Sequence, residues 1–159
     1  MGDEEKPGVL ELMIGHELAM QGLYEACAEA FPERHELWSR LASDEQEHAG
    51  LLATLRSVSP LEMRATYARF KPQPIKTSTQ YAREQTVRVR EGLLTDVEAF
   101  ALAVDLETAL LEGHSIKLAP SAPMAIRPVL MELAAGDTRH RAAVKAALDA
   151  AKAAGPSFE

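Results

Sequence analysis

The sequence predicts an all-α fold, a bundle of four helices with one long crossover connection between the second and the third. Apolar residues recur at helical spacing through four long segments. Aromatic residues make up only 5% of the chain while alanine and leucine abound, which suits helices packed on helices; a β-sandwich draws on β-branched and aromatic side chains. A length of 159 residues fits one domain, enough to bury a core without staples. That domain is expected over residues 9–154, with 1–8 a flexible N-terminus and 155–159 a tail.

The first helix is expected over 9–31, where Leu10, Met13, Met20, Tyr24, Cys27 and Phe31 form one stripe and Pro32 disfavours helical geometry in the residue before it. Glu17 lies within that stripe, so its carboxylate is expected to face the core. The second helix, over 33–58, carries Leu37, Trp38, Leu41, Leu52 and Leu55 on one face and closes at Pro60. Glu45 and His48 stand on the same stripe, one turn apart, in place of apolar residues.

From 59 to 94 the periodicity weakens. Pro60, Pro72 and Pro74 punctuate it, the run KPQPIKTST reads as extended or irregular, and Gln80 to Arg90 reads as a short helix or edge element at most. A connection this long is uncommon inside a compact domain unless it has a task. The expected task is to carry the chain back to the starting end of the bundle.

The third helix, over 96–118, opens on the capping box TDVE, in which Thr95 and Glu98 satisfy free backbone N–H groups reciprocally. Its stripe is Phe100, Val104, Leu111 and Leu118, with Glu107 and His114 in register. After Pro120 to Pro123 (PSAP) the fourth helix is expected over 124–153, with Pro128 in its first turns and Leu130, Leu133, Val144 and Leu148 on its stripe. Asp137 and His140 interrupt that stripe. Gly136, a helix weakener in mid-helix, reads as a place where small size lets a neighbour or ligand come close.

The second and fourth helices repeat one another. LASDEQEH, from Leu41 to His48, aligns with LAAGDTRH, from Leu133 to His140, which pairs Glu45 with Asp137, His48 with His140 and Leu52 with Val144 at one constant offset. Glu17 and Glu107 precede these acids by similar distances, so the chain reads as two helical hairpins of one plan.

The net charge of −7 argues against a nucleic-acid binder, which needs clustered Lys and Arg; the basic run REQTVRVR (83–90) is explained by a solvated face. The single cysteine, Cys27, forms neither an intrachain disulfide nor a CxxC pair and reads as a buried thiol. The opening residues MGDEEKPG do not resemble a secretory signal, and no run of about eighteen apolar residues suggests a membrane span. A cytoplasmic setting is the expectation.

Four core-facing carboxylates, Glu17, Glu45, Glu107 and Asp137, would place like charges in a low-dielectric interior, and the sequence has no matching set of core-facing Lys or Arg. Two divalent cations would supply the missing charge, with His48 and His140 giving one imidazole nitrogen each. Oxygen-rich sites with one imidazole per ion suit iron or manganese, and zinc would also bind. Asp137 is a methylene shorter than glutamate, so it is expected to reach fewer ions, or Gly136 lets the helices approach.

Three further residues sit near this set. Tyr24 and His114 each lie seven residues after Glu17 and Glu107; the plain reading is a core aromatic and a boundary histidine. The functional reading is a Tyr24 hydroxyl orienting a carboxylate across the bundle and a His114 guarding an entry path. Asp44, four residues before His48, reads as an exposed helix acid or as the partner of that histidine's other ring nitrogen. His16 and His35 read as surface residues, and Trp38 and the methionines as core packing.

The segments GHELAMQGLYEACAEAF, ELWSRLASDEQEHAGLL, VDLETALLEGH and ELAAGDTRH make the chain similar to the rubrerythrin-like branch of the ferritin-like superfamily, with the likeness running from about Val9 to Leu148 and the 59–94 connection outside it. Bundles of that kind hold di-iron or di-manganese sites with a Glu from each of two helices and a Glu-x-x-His from each of the other two. The resemblance implies a left-handed four-helix bundle, two bound irons and reaction with oxygen or hydrogen peroxide. It places the ligands at Glu17, Glu45, His48, Glu107, Asp137 and His140. The chain departs from the family in lacking the four cysteines of a rubredoxin module, so electrons are expected from a separate donor. It also carries Leu110 where an exchanging glutamate stands one turn after the third-helix ligand, and Asp137 where the fourth helix has glutamate.

These readings lead to a ferroxidase- or peroxidase-type oxidoreductase, with a homodimer as the expected assembly. Two other expectations stay open at this point: an iron storage or delivery protein, and a bundle holding one metal or none.

Overall fold

The computed structural model describes residues 8–59, 61–63, 72–113 and 123–155, the side chains of 110–113 excepted. Among the described residues the structure is helical and contains no strand. Helix α1 spans Val9–Ala30, α2 His35–Thr54, α3 Pro72–Arg90, α4 Asp96–Gly113 and α5 Arg127–Ala154. Short 3-10 turns at Pro32–Arg34 and Leu55–Ser57 flank α2. No helix among the described residues is long and apolar enough to cross a membrane.

Local chemistry fixes the helix ends. The Phe31 N–H donates back to the Cys27 carbonyl at 2.9 Å, closing α1 just before Pro32. At α4 the capping box forms as expected: the Glu98 N–H donates to Thr95 Oγ1 and the Thr95 N–H to Glu98 Oε1, each at 3.2 Å. Pro128 lies in the first turn of α5, where an intrahelical N–H is not needed, and Gly155, at φ 67°, takes the left-handed conformation that ends it.

The structure corrects the sequence reading in five places. The second helix is α-helical only to Thr54 and tightens into a 3-10 turn rather than running to 58, and the fourth begins at Arg127 rather than 124. The run KPQPIKTST, expected to be extended or irregular, is helical from Pro72 and joins Gln80 to Arg90, expected as a short helix or edge element, in the nineteen-residue helix α3. Pro72 and Pro74 lie in its first turn, where proline removes no hydrogen bond, so they start the helix instead of breaking it. His16, read as a surface residue, is buried, and its Nε2 lies 2.8 Å from Ser78 Oγ of α3. Met124 and Met131 are exposed rather than in the core. Residues 1–7, Pro60, His114, Leu118 and the tail beyond Gly155 lie outside the described residues, and the side chains of Leu110 and Leu111 are likewise not described.

Helix α1 packs along both α2 and α3, α4 packs along α5, and α2 touches α5. The apolar interior falls into two clusters. One gathers Met20, Leu23, Tyr24, Trp38, Leu41, Phe100, Leu106, Val144 and their neighbours; Trp38 stacks on Phe100 with ring centroids 4.9 Å apart. The other gathers Met13, Ile14, Leu52, Leu55, Ile75, Ile126, Leu130 and Leu133. Chain direction follows from the order in which each helix meets the clusters. Helices α1, α3 and α5 run from the second cluster to the first, α2 from the first to the second, and α4 starts in the first. Helix α3 therefore returns the chain from the end where α2 stops to the end where α4 begins.

A polar layer separates the clusters. Glu17 lies between Ile14 and Met20 along α1, Glu45 between Ala42 and Ala49 along α2, and Asp137 and His140 between Leu133 and Val144 along α5. Glu107 follows Leu106 on α4. One band across four helices thus carries every acid that interrupts an apolar stripe.

Candidate metal centre

The helices bring all six residues of the proposed ligand set into that band, and all six are buried: Glu17, Glu45, His48, Glu107, Asp137 and His140. They form two groups. One donor atom from each of Glu45, Glu107, Asp137 and His140 lies within 4.8 Å of the others, and the same holds for Glu17, Glu45 and His48. Glu45 belongs to both groups. The imidazoles of His48 and His140 face one another across the band, with ring centroids 5.4 Å apart.

The donor atoms converge without satisfying one another. Glu17 Oε2, both Glu45 oxygens, Glu107 Oε2, Asp137 Oδ1, His48 Nδ1 and His140 Nδ1 are buried with no hydrogen-bond partner among the described residues. His140 Nδ1 approaches Glu45 Oε1 to 2.9 Å and Glu107 Oε1 to 3.5 Å, and His48 Nδ1 approaches Glu45 Oε2 to 3.6 Å, all without hydrogen-bond alignment. Buried polar atoms are ordinarily paired, and leaving one unpaired costs about 1–3 kcal/mol. Seven such atoms aimed into one small region are a donor set suited to cations.

Charge points the same way. No Lys or Arg is buried among the described residues, so protons and one imidazolium must neutralise the cluster in the absence of cations. Burial pushes the Glu45 carboxyl up to about 7, against the lowering influence of Glu17 and His140. Burial, then the charges of Glu17 and Glu107, lift Asp137 to about 9. Burial and the neighbouring Glu45 hold Glu17 well above the carboxylate range. At His140 burial disfavours the imidazolium, yet the Glu107 and Glu45 carboxylates beside it outweigh that and raise it to about 11. At His48 burial prevails and the ring sits below its ordinary value.

Around the donors stand residues that hold them in place. The Tyr24 hydroxyl donates to Glu107 Oε1 at 2.6 Å, an α1-to-α4 link, while Oε2 is buried with no hydrogen-bond partner among the described residues. Burial, then the Glu107 charge, raises the Tyr24 phenol well above 10, so it remains a donor. Asp44 Oδ2 lies 2.9 Å from Nε2 of His140 on α5, not beside His48 on its own helix as the spacing suggested. A ring nitrogen held by a carboxylate fixes both the tautomer and the direction of the other nitrogen, here Nδ1. Gly136 meets His48: a Cβ built at 136 would fall 2.4 Å from His48 Nε2 and 2.5 Å from Cε1. His35, as expected, is exposed.

The sequence reading missed the Asp44–His140 link, and the internal repeat held the signal. Asp44 and Gly136 each precede the acid of their copy, and each faces the histidine of the other copy. No family model, curated protein or solved structure matches the chain.

Proposed function

We propose that the chain is a ferritin-like, rubrerythrin-like four-helix di-iron carboxylate protein that oxidises ferrous iron and reduces oxygen or hydrogen peroxide. The observation that carries this reading is the Glu45 carboxylate, buried, without hydrogen-bond partners among the described residues, and common to two groups of donors that could each hold a cation. Glu17, Glu45, His48, Glu107, Asp137 and His140 would hold two irons, which would supply the electrons that reduce the oxidant and be re-reduced by a separate donor. Manganese or zinc would fit the same oxygen and nitrogen donors.

The chain's own residues perform four tasks in this reading. Glu45 is common to both groups, with Oε1 2.9 Å from His140 Nδ1 and Oε2 3.6 Å from His48 Nδ1. His48 and His140 bring Nδ1 to the band from α2 and α5, the second steadied by Asp44. Tyr24 keeps Glu107 oriented by donating to the oxygen that faces it. The apolar clusters on either side keep bulk water from the donors, which strengthens every electrostatic contact between them. Asp137, lifted to about 9, keeps its proton at neutral pH in the metal-free protein and would release it on cation binding.

The test is the rate of ferrous iron oxidation under oxygen or peroxide, followed by absorption, in the native chain and in Glu45→Ala. Rapid oxidation by the native protein that disappears in a folded Glu45→Ala is expected. An equal rate in the two proteins would refute the reading.

A further inference from the structure

We propose that the centre is built with two unequal halves. The group Glu45, Glu107, Asp137 and His140 retains a divalent cation, and the group Glu17, Glu45 and His48 binds one more weakly and exchangeably. This rests on the two-metal reading above and adds a division of labour to it.

Three differences between the halves carry the inference. The first is the donor count: the retaining half offers four residues, three of them carboxylates, and the exchangeable half three, of which two are carboxylates. Affinity for a hard divalent cation rises with the number and charge of oxygen donors. Glu107 and Asp137 fall within the first group alone, against Glu17 in the second.

The second difference lies behind the histidines. Nε2 of His140 is held at 2.9 Å by Asp44, which fixes the ring and raises the basicity of Nδ1. No described residue hydrogen-bonds Nε2 of His48. The matching position of the repeat is Gly136, which has no side chain to offer.

The third is that this inequality cannot be repaired locally. A Cβ at 136 would fall 2.4 Å from His48 Nε2, so His48 keeps its place only while residue 136 is glycine, and glycine cannot anchor it. The same residue that admits the His48 ring leaves it without a carboxylate behind it.

The experiment titrates the metal-free full chain with manganese(II), reading free ion by its electron paramagnetic resonance signal and binding by calorimetry. The native chain is expected to bind two ions in classes separated by at least about tenfold. Asp44→Ala, a change at a half-buried site that leaves the core intact, should weaken the tighter class by roughly 10–100-fold and leave the weaker one unmoved. His48→Ala, with helicity checked by circular dichroism, should abolish the weaker class alone. Should His48→Ala not fold, Gly136→Ala displaces the same ring. Two classes of equal affinity, or an Asp44→Ala effect on the weaker class, would overturn the inference and leave the two-metal reading standing. One ion per chain, or none, would overturn both.

Discussion

The imidazole of His48 on α2 occupies the space that a side chain at position 136 of α5 would need: a Cβ there would lie 2.4 Å from Nε2 and 2.5 Å from Cε1. Glycine within a helix ordinarily costs about 1 kcal/mol relative to alanine, so this position gives up helix stability for the placement of a ring on another helix. Gly136→Ala is therefore expected to fold with unchanged helicity while the His48 ring shifts. Binding of the His48-dependent cation should fall by roughly 10–100-fold, the range seen when a ligand loses its support. Circular dichroism together with manganese titration checks both halves of this expectation.

Tyr24→Phe removes one oxygen and nothing else from the packing, since the ring contact with Trp38 at 5.7 Å is kept. Glu107 Oε1 then loses the donor that reaches it at 2.6 Å. The metal-free protein should lose about 1–3 kcal/mol of unfolding free energy in urea. A change within a few tenths of a kcal/mol would show that the hydrogen bond does not hold Glu107.

Stability of the metal-free protein should fall as pH rises. Asp137 at about 9 and Glu45 at about 7 lie above the ordinary values of 3.8 and 4.5, and His140 at about 11 lies above 6.5. Each binds more protons folded than unfolded between its two values, so each makes folding less favourable as pH climbs through that window. His48, depressed below 6.5, opposes them only below about 6.5. The melting temperature of the metal-free chain is expected to drop from about pH 5 to about pH 9. Added manganese should raise it by an amount that grows with pH, because cations replace the protons. A melting temperature that rises with pH in the metal-free chain would contradict the buried-proton account.

Ile75 tests the helix that the sequence concealed. It is buried at the start of α3, in the cluster shared with Met13, Ile14 and Leu52. Ile75→Ala should cost about 2–5 kcal/mol in denaturant unfolding, the penalty of a core position. A solvated, irregular connection would tolerate the change.

What could be read from the sequence and what could not divides along physical lines. The acids Glu17, Glu45, Glu107 and Asp137 were legible because a carboxylate on an apolar stripe is too costly to be ornamental, and the structure buries all four in one band. The TDVE cap was legible because its hydrogen bonds are local. Helix α3 was legible only as a short element over Gln80 to Arg90, since its prolines resemble breakers and its buried face, with Ala82, Gln85 and Thr86, gives little hydropathic contrast. His16 followed from the same omission: without α3 there is no Ser78 to bury it. Neither reading of Asp44, an exposed helix acid or a partner of His48, reached His140, because that partner is 96 residues away and the pairing depends on how α2 and α5 pack. Gly136 was legible as an anomaly, but the ring it accommodates was not.

The central claim is that Glu45 is shared by two cation sites, and a crystal of the protein soaked with manganese(II) and measured near the manganese absorption edge tests it most directly. Two anomalous peaks flanking the Glu45 carboxylate are predicted, one beside His140 and Asp137 and the other beside His48 and Glu17. A single peak, or none within the band between the two apolar clusters, would contradict it.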